Sequence, residues 1–224
     1  MDVIDPSQIL PITIIGCGSS GSAIGMVYAK MGGQMITLYD ADMIESHNIP
    51  NQWYSQRYIG RNKAEVLDEV LRDITPSDMQ PNIFTNTRHY QEGDMVSGIT
   101  ILCVDSIETR KSIFEEFRKS FKGDWLLDTR MASQFYEIYT IKMDNQKNVE
   151  EYAESLDLEM DEAPCTNRSV IYTPMLMASR VVWMIKRISR NEPVFNHYME
   201  DLSNILFGTI KDWREGEEPQ PRRV

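Results

Sequence analysis

The sequence predicts an α/β protein with a doubly wound, mainly parallel sheet and a Rossmann-like nucleotide-binding fold. Two observations support this prediction. Strand-like and helix-like segments alternate along the chain, and the first strand-like segment runs into a G-x-G-x-x-G motif, formed by Gly16, Gly18 and Gly21 in "ITIIGCGSSGSAIG". In this motif the glycines allow a tight turn, close approach of a phosphate, and packing of helix on strand. NAD-dependent dehydrogenases, methyltransferases and ATP-using enzymes all carry such a motif, so other residues must discriminate between them.

The first part of the chain is read in order as strand, helix, strand. "PITIIG" predicts the first strand, 20–31 a helix ended by Gly32 and Gly33, and "MITLYD" the second strand. Apolar residues at helical spacing in "NKAEVLDEVLRDI" predict a helix that closes before Pro76. The next predicted elements are the strands "NIFTNT" and "ITILCV", the amphipathic helix "IETRKSIFEEFRKSF", and the strands "DWLLDT" and "FYEIYTIKM".

The second part of the chain is less regular. The acidic stretch 144–162 predicts a mobile loop or a short exposed helix. "SVIYTPMLMASRVVWMIKRIS" predicts a long, mostly buried helix, in which Pro174 requires a kink or a late start. "VFNHYMEDLSNILFG" predicts a final helix or a strand–helix unit. We expect a single domain over residues 1–212 and a disordered tail over 213–224, where charged residues and prolines prevail.

Composition narrows the class of protein. With 224 residues, 42% hydrophobic and 25% charged, the chain is expected to be a soluble globular domain. Its net charge of −11 argues against a broad nucleic-acid surface, and no apolar run suits a membrane span or a secretory signal. The cysteines Cys17, Cys103 and Cys165 form no C-x-x-C pair, which favours a reduced, cytoplasmic setting without structural zinc.

Polar residues after the second strand bear on the choice of nucleotide. Asp40 ends that strand, where an acidic residue can accept hydrogen bonds from a ribose, although a solvated turn is the alternative. The following segment carries further acids, amides and a lysine, namely Asp42, Asn48, Gln52 and Lys63. Lys63 stands near the start of a predicted helix and adds a cation to its N-terminus. A dehydrogenase has little need for this set, whereas an enzyme that stabilises polyphosphate charge does.

Asp105 follows the short buried strand "ITILCV". Ligands gather at the carboxyl edge of such sheets, and a carboxylate there can bind Mg²⁺ together with phosphate oxygens. The alternative is that Asp105 caps the next helix, a role for which Ser106 competes.

Taken in order, GxGxxG, D-x-D, N-x-x-x-Q, G-x-x-K and C-x-D resemble the ThiF/MoeB/HesA superfamily of ubiquitin-activating-type adenylyltransferases, over roughly residues 10 to 190. The resemblance implies binding of ATP and Mg²⁺ and transfer of AMP to a carboxylate, often the C-terminal glycine of a ubiquitin-like or sulfur-carrier protein, commonly by a homodimer. It assigns the phosphate loop to Gly16, Gly18 and Gly21, the ribose to Asp40, phosphate contacts to Asn48, Gln52 and Lys63, and the metal to Asp105; Asp42 completes the D-x-D pair.

The chain departs from the superfamily pattern in three places. Asn51 stands where members usually have an arginine before the glutamine, and either Arg57 or Arg61 is a candidate substitute. The N-terminal arginine segment and the C-x-x-C pairs of several relatives are absent. Three interpretations therefore stay open: an active adenylyltransferase, a catalytically weak partner subunit that binds nucleotide without turnover, and an NAD-dependent oxidoreductase.

Cys165 lies in "DEAPCTNRSVIY", after the acidic stretch and before the long helix. Its location resembles that of the cysteine that takes the activated acyl group in many relatives. The alternative is an unreactive cysteine in a loop. Cys17 and Cys103 fall in the glycine loop and a buried strand, where packing is the expected role.

Overall fold

A computed structural model describes residues 4–120, 124–157 and 171–203, and the backbone of 206–212. Its strands are β1 (Ile12–Ile15), β2 (Met35–Tyr39), β3 (Asn82–Asn86), β4 (Ile99–Leu102), β5 (Trp125–Ala132), β6 (Phe135–Lys142), β7 (Phe195–Asp201) and β8 (Leu206–Asp212). Its α-helices are α1 (Ser19–Met31), α2 (Lys63–Ile74), α3 (Ile107–Ser120), α4 (Gln146–Asp157) and α5 (Tyr172–Ser189). Short 3-10 turns include Ser46–Asn48 and Gln56–Tyr58.

Within these residues the strands form one eight-stranded sheet in the order β3-β2-β1-β4-β5-β6-β7-β8. The strands from β3 to β5 are parallel, whereas β6, β7 and β8 continue the sheet in antiparallel pairs. The chain leaves β1 toward β2 and later returns to its other side with β4, which makes a switch point beside β1. Ligands bind outside the carboxyl ends of the strands at such a point.

Helices cover both faces of the sheet, as a doubly wound fold requires. The larger apolar cluster lies under α1, α2 and α5 and includes the buried side chains of Ile14, Leu67 and Val181. The smaller cluster lies under α3 and α4 and includes Phe114 and Tyr152. The predicted α/β class with a doubly wound, mainly parallel sheet is confirmed, with the addition of an antiparallel extension.

Most element predictions hold, with differences in the second half of the chain. α5 begins at Tyr172, so Pro174 lies in the first turn, where a missing N–H costs nothing. The segment predicted to be a final helix or strand–helix unit instead forms the antiparallel strands β7 and β8, so that prediction is wrong. In β7 the buried side chains Tyr198 and Glu200 alternate with more exposed neighbours, which is the period of a half-buried strand.

The acidic stretch 144–162 is neither a loop nor an exposed helix where the structure describes it. Gln146–Asp157 forms α4, and Val149, Tyr152 and Leu156 are buried against the sheet. Their spacing of three and four residues puts them on one helix face, so a narrow apolar stripe suffices to pack an otherwise charged helix. Residues 158–162 and the predicted tail 213–224 lie outside the described residues. Across the described ranges, no helix combines the length and the apolar character needed to cross a membrane.

Candidate nucleotide-binding site

A cleft of about 1340 Å³ lies at the carboxyl edge of the parallel strands. It is larger than the roughly 300–1,000 Å³ of a typical small-molecule pocket. The cleft is lined by the glycine loop, the residues after β2 and the start of α2. Its lining also includes the loop after β4, residues of α3 and the end of β5. The cleft therefore has room for a nucleotide and part of a second molecule.

The three motif glycines have different surroundings. Gly16 has a φ of +96°, and a Cβ atom built on it would lie 2.7 Å from the carbonyl oxygen of Cys103. A Cβ atom on Gly21 would lie 1.9 Å from the carbonyl oxygen of Gly16, so both positions require glycine for the fold itself. A Cβ atom on Gly18 would meet nothing closer than Gln52 Nε2, at 3.9 Å. Space is therefore open at Gly18, on the cleft side of the α1 N-terminus.

Asp40 is almost fully buried at the end of β2. Its Oδ2 accepts a hydrogen bond from the backbone N–H of Cys17 at 2.6 Å, and its Oδ1 accepts one from the N–H of Asp42 at 2.8 Å. Burial raises the pKa of Asp40, and these two backbone hydrogen bonds oppose that increase. A carboxylate has acceptor sites beyond these two, so Asp40 can still receive a hydroxyl from the cleft.

Asn62, which was not singled out as a site residue, connects the elements of the site. Its Oδ1 accepts hydrogen bonds from the backbone N–H groups of Ala64 and Glu65 and thereby caps α2. Its Nδ2 donates to the carbonyl oxygens of Asp40 and Asp42 at 3.0 and 3.2 Å. One amide therefore fixes the start of α2 against the end of β2.

Lys63 opens α2 directly after this cap. Its ammonium lies 2.8 Å from Oδ2 of Asp42, and its backbone N–H donates to the Asp42 carbonyl. The Lys63 side chain is 10% exposed and that of Asp42 is 61% exposed, so the pair stands at the wall of the cleft with its anionic member outermost. An incoming phosphate would share the ammonium with Asp42.

The amide residues of the segment after β2 have separate roles. Asn48 is buried, and its Oδ1 accepts a hydrogen bond from the backbone N–H of Glu45, so its carbonyl group serves the local turn. Gln52 faces Gly18, and its Oε1 is buried without a hydrogen-bond partner among the residues that the structure describes. Such a group is costly unless a ligand or water satisfies it, so Gln52 fits a bound polar ligand.

The position of the missing arginine is occupied by a buried neutral side chain. Asn51 is 3% exposed, and its backbone carbonyl oxygen accepts a hydrogen bond from Ser19 Oγ at 2.7 Å. The two suggested substitutes do not line the cleft. Arg61 pairs with Glu69 at 2.8 Å, and the guanidinium of Arg57 lies 4.6 Å from the ring centre of Tyr58. The expectation that either replaces the arginine is not met in this structure.

Asp105 is exposed in the lining of the same cleft as Asp40. The alternative role of helix cap falls to its neighbour, because Ser106 Oγ accepts a hydrogen bond from the Thr109 N–H at 3.2 Å. The sequence-predicted residues are therefore brought together on one cleft. There are two exceptions: Gly21, which packs against the Gly16 carbonyl and does not line the cleft, and Cys165, which lies outside the described residues.

A buried ionic network behind Asp105 was not predicted. Asp128 is fully buried on β5 and pairs with both Arg110 of α3 and Arg130 of β5. Arg130 also lies near Glu137, which contacts His197 at 2.9 Å. Arg110 and Arg130 border the cleft, yet both guanidinium groups are directed into ion pairs.

Cys17 and Cys103 are free thiols beside the glycine loop. Cys17 lies in the larger apolar cluster, in agreement with the expected packing role. Burial raises the pKa of Cys17 well above its usual value and that of Cys103 to about 11. Both side chains are therefore neutral thiols at physiological pH, which is the unreactive form.

The sheet order and glycine loop define a Rossmann-like α/β protein with its ligand cleft at the carboxyl edge of the sheet. Within that class, the chain belongs to the ThiF family, whose model matches residues 8–220. Ubiquitin-like modifier-activating enzyme 5 of Branchiostoma floridae is 27% identical over 116 residues, which cover 46% of this chain and 29% of that protein. The Dictyostelium discoideum protein of the same name is 29% identical over 119 residues, covering 46% and 31%.

Solved structures share the fold at low sequence identity. Escherichia coli MccB, crystallised with AMPCPP and MccA, aligns with a TM-score of 0.70 and 13% identity, covering 96% of this chain and 66% of MccB. PaaA aligns with a TM-score of 0.67 and 15% identity, covering 92% and 64%. The chain thus spans less than a third of the length of the enzymes named above and about two thirds of these structural neighbours.

Proposed function

We propose that this protein is an ATP-dependent adenylyltransferase that activates a carboxylate by joining it to AMP. The observation that carries the proposal is the composition of one cleft, in which the open space at Gly18 and the unsatisfied Gln52 Oε1 lie with Lys63 and Asp105. Membership of the ThiF family supports it, as do relatives named ubiquitin-like modifier-activating enzymes. A dehydrogenase would leave Lys63 and Asp105 without a purpose.

In the proposed reaction a substrate carboxylate oxygen forms a bond to the α-phosphorus of ATP. The bond from that phosphorus to the bridging oxygen breaks, and pyrophosphate leaves with the electron pair. The protein donates no covalent group in this step; it must hold both reactants and offset developing charge. Asp40 would bind the ribose, and the turn formed by Gly16, Gly18 and Gly21 would receive the phosphates in the open space at Gly18. Asn48, Gln52 and Lys63, with Asp42 beside Lys63, would contact them.

Mg²⁺ would be held by Asp105 and would supply positive charge at the phosphate oxygens. In the described part of the chain there is no group of three or more His, Cys, Asp or Glu side chains suited to hold a metal ion. A hard cation at Asp105 would therefore take its remaining ligands from phosphate and water, which is the usual arrangement for Mg²⁺. This donor set fits a metal that arrives with the nucleotide.

The carboxylate is proposed to be the C-terminus of a ubiquitin-like or sulfur-carrier protein, or of another peptide. The lining of the cleft includes residues of α3 and of the end of β5 in addition to the residues assigned to the nucleotide. An extended chain end can enter a groove of this kind, whereas a folded domain would remain outside. E. coli MccB, which shares the fold, was crystallised with MccA.

Assembly and location are also proposals. A homodimer is expected from the superfamily resemblance, and size-exclusion chromatography with light scattering tests it. A cytoplasmic, reduced setting is supported by the free thiols of Cys17 and Cys103. No binding of nucleic acid or membranes is proposed.

A catalytically weak partner subunit is the second candidate, and the observation that favours it is Asn51. A neutral, 3% exposed side chain stands where an arginine is usual in the superfamily, and Arg57 and Arg61 do not line the cleft. Such a subunit would bind ATP but would not catalyse the exchange of pyrophosphate into ATP. Turnover therefore separates the two candidates.

ATP–pyrophosphate exchange with candidate carboxylate substrates tests the proposal. Wild-type protein should exchange label only in the presence of a substrate, and Asp105→Ala should lose exchange while keeping its thermal midpoint, because Asp105 is exposed. ATP with Mg²⁺ should stabilise the wild-type protein and NAD should not, since only a ligand that binds the native state raises its stability. Stabilisation by NAD equal to that by ATP would contradict the proposal, as would full exchange in Asp105→Ala.

Transfer to Cys165 is a separate proposal. Adenylation needs no protein nucleophile, whereas capture of the acyl group does. Cys165→Ala should therefore still exchange pyrophosphate but should form no thiol-sensitive adduct with the substrate, as seen by mass spectrometry without reductant. An adduct in the alanine variant, or none in an actively exchanging wild type, would assign the acyl acceptor to another molecule.

A further inference from the structure

Arg110 connects the loop that carries Asp105 to the centre of the sheet. It lies in the first turn of α3 and is 5% exposed. One guanidinium nitrogen donates to the carbonyl oxygen of Val104, and another forms an ion pair with Asp128. Val104 immediately precedes Asp105, so this guanidinium acts on the peptide unit from which the Asp105 side chain projects.

Asp128, the carboxylate that pairs with Arg110, is itself held in place by other residues. Asp128 is fully buried and lies beside Leu102 in the parallel register of β4 and β5. Its second oxygen accepts hydrogen bonds from Arg130 Nε at 2.7 Å and Tyr152 Oη at 3.0 Å. A buried carboxylate bound on both sides has little freedom to move, so it holds Arg110 in place.

The rest of the loop is held from other directions. The backbone N–H of Cys103 donates to the carbonyl of Ile15 at 2.8 Å, and Thr129 Oγ1 donates to the carbonyl of Leu102 at 2.8 Å. On the helix side, Ser106 Oγ accepts from the Thr109 N–H. The contact from Arg110 acts between these two sets of bonds, next to Asp105.

We propose that Arg110 is a positioning residue, which fixes the Val104–Asp105 backbone so that the Asp105 carboxylate meets a nucleotide-bound Mg²⁺ at a defined place. This inference rests on the proposed function. A planar guanidinium can donate in two directions at once, whereas a lysine ammonium at the end of a flexible stem is a point charge. Charge alone therefore cannot replace Arg110; the fork is what links the loop to Asp128.

The experiment compares Arg110→Lys with Tyr152→Phe as matched control. Arg110→Lys keeps a cation beside Asp128 but loses the fork, whereas Tyr152→Phe removes one hydrogen bond from the same carboxylate without touching the loop. ATP binding is measured by calorimetry with and without Mg²⁺. Arg110→Lys should bind metal-free ATP like the wild type, and its Mg²⁺-dependent gain in affinity should fall by about 10- to 100-fold, as for other residues that orient metal ligands. Tyr152→Phe should keep that gain.

Hydrogen exchange followed by mass spectrometry supplies a readout that needs no nucleotide. Amides of residues 103–106 should exchange faster in Arg110→Lys and at the wild-type rate in Tyr152→Phe. If Arg110→Lys does not fold, Asp128→Asn, which keeps the shape of the anchor but removes its charge, should show the same changes to a smaller extent.

The outcomes distinguish failure of the positioning role of Arg110 from failure of the proposed function. Wild-type Mg²⁺ dependence and exchange in Arg110→Lys, or equal losses in Tyr152→Phe, would overturn the positioning role while leaving the proposed function intact. A wild-type protein whose ATP affinity does not respond to Mg²⁺ would overturn the proposed function and the metal part of the inference with it. Hydrogen exchange would then still decide whether Arg110 holds the loop.

Discussion

Gly18 and Gly21 stand three residues apart in the same motif, yet their surroundings are opposite. A methyl group on Gly21 would lie 1.9 Å from a backbone oxygen, whereas one on Gly18 would lie 3.9 Å from the end of a flexible side chain. Gly21→Ala should therefore lower the free energy of unfolding by about 3 kcal/mol or more. Gly18→Ala should keep the wild-type thermal midpoint and lose most of the stabilisation by ATP, because its methyl group occupies the space proposed for phosphate.

Thermal unfolding of both variants with and without ATP checks this pair of expectations. The pair contains its own control, since each variant adds one methyl group to one glycine of the motif. Loss of ATP stabilisation in a well-folded Gly18→Ala would favour a ligand at this position. Undiminished stabilisation in that variant would place the phosphates elsewhere.

The start of α2 shows how one element is tied to another. Asn62 caps the helix with its Oδ1 and binds the carbonyls of Asp40 and Asp42 with its Nδ2. Asn62→Ala should cost about 1–2 kcal/mol, the upper range for loss of a cap, because two carbonyls lose their donor as well. Asn62→Asp keeps the cap acceptor but turns a second oxygen toward the two carbonyl oxygens, so it should cost at least as much as Asn62→Ala. Urea unfolding measures both, and an Asn62→Ala variant as stable as the wild type would contradict this role.

The sequence predicts the helices and strands better than it predicts the contacts between them. The glycine loop and the helical spacing in α2 are local patterns, and both elements form where they were expected. The prediction for the segment of β7 and β8 was wrong because the alternation in β7 is short and its pairing partner β6 is distant in sequence. The Arg110–Asp128 pair was missed for a related reason, since only the parallel pairing of β4 and β5 brings the two residues together.

Burial across the whole molecule keeps cysteine thiols and tyrosine hydroxyls protonated. Burial raises the pKa of the Cys103 thiol from 9.0 to about 11 and that of Tyr139 to about 12, and it also raises the pKa of Cys17. The folded state thus keeps protons that the unfolded chain releases above pH 9. The stability that each group contributes should be lost at about 1.4 kcal/mol per pH unit, between pH 9 and about 11 for Cys103 and between pH 10 and about 12 for Tyr139.

Urea unfolding at several pH values between 8 and 10.5 measures this loss. Cys103→Ala removes one of the groups and should flatten the decline relative to the wild type, whatever its effect at pH 8. A free energy of unfolding that stays constant over this range would show that the thiols ionise in the folded protein.

The switch point beside β1 determines when the site can form during synthesis of the chain. β1 pairs on one side with β2, which follows soon after it, and on the other with β4, so that Ile12 lies beside Ile99, which is 87 positions later in the sequence (99 − 12). The glycine loop leaves the ribosome early, but Cys103, whose carbonyl lies close to Gly16, emerges much later. A nascent chain that stops before β4 therefore carries the complete glycine motif but lacks the strand that completes the turn and the Asp105 loop. Co-translational capture of ATP should begin only once β4 and the loop after it have been released from the ribosomal tunnel.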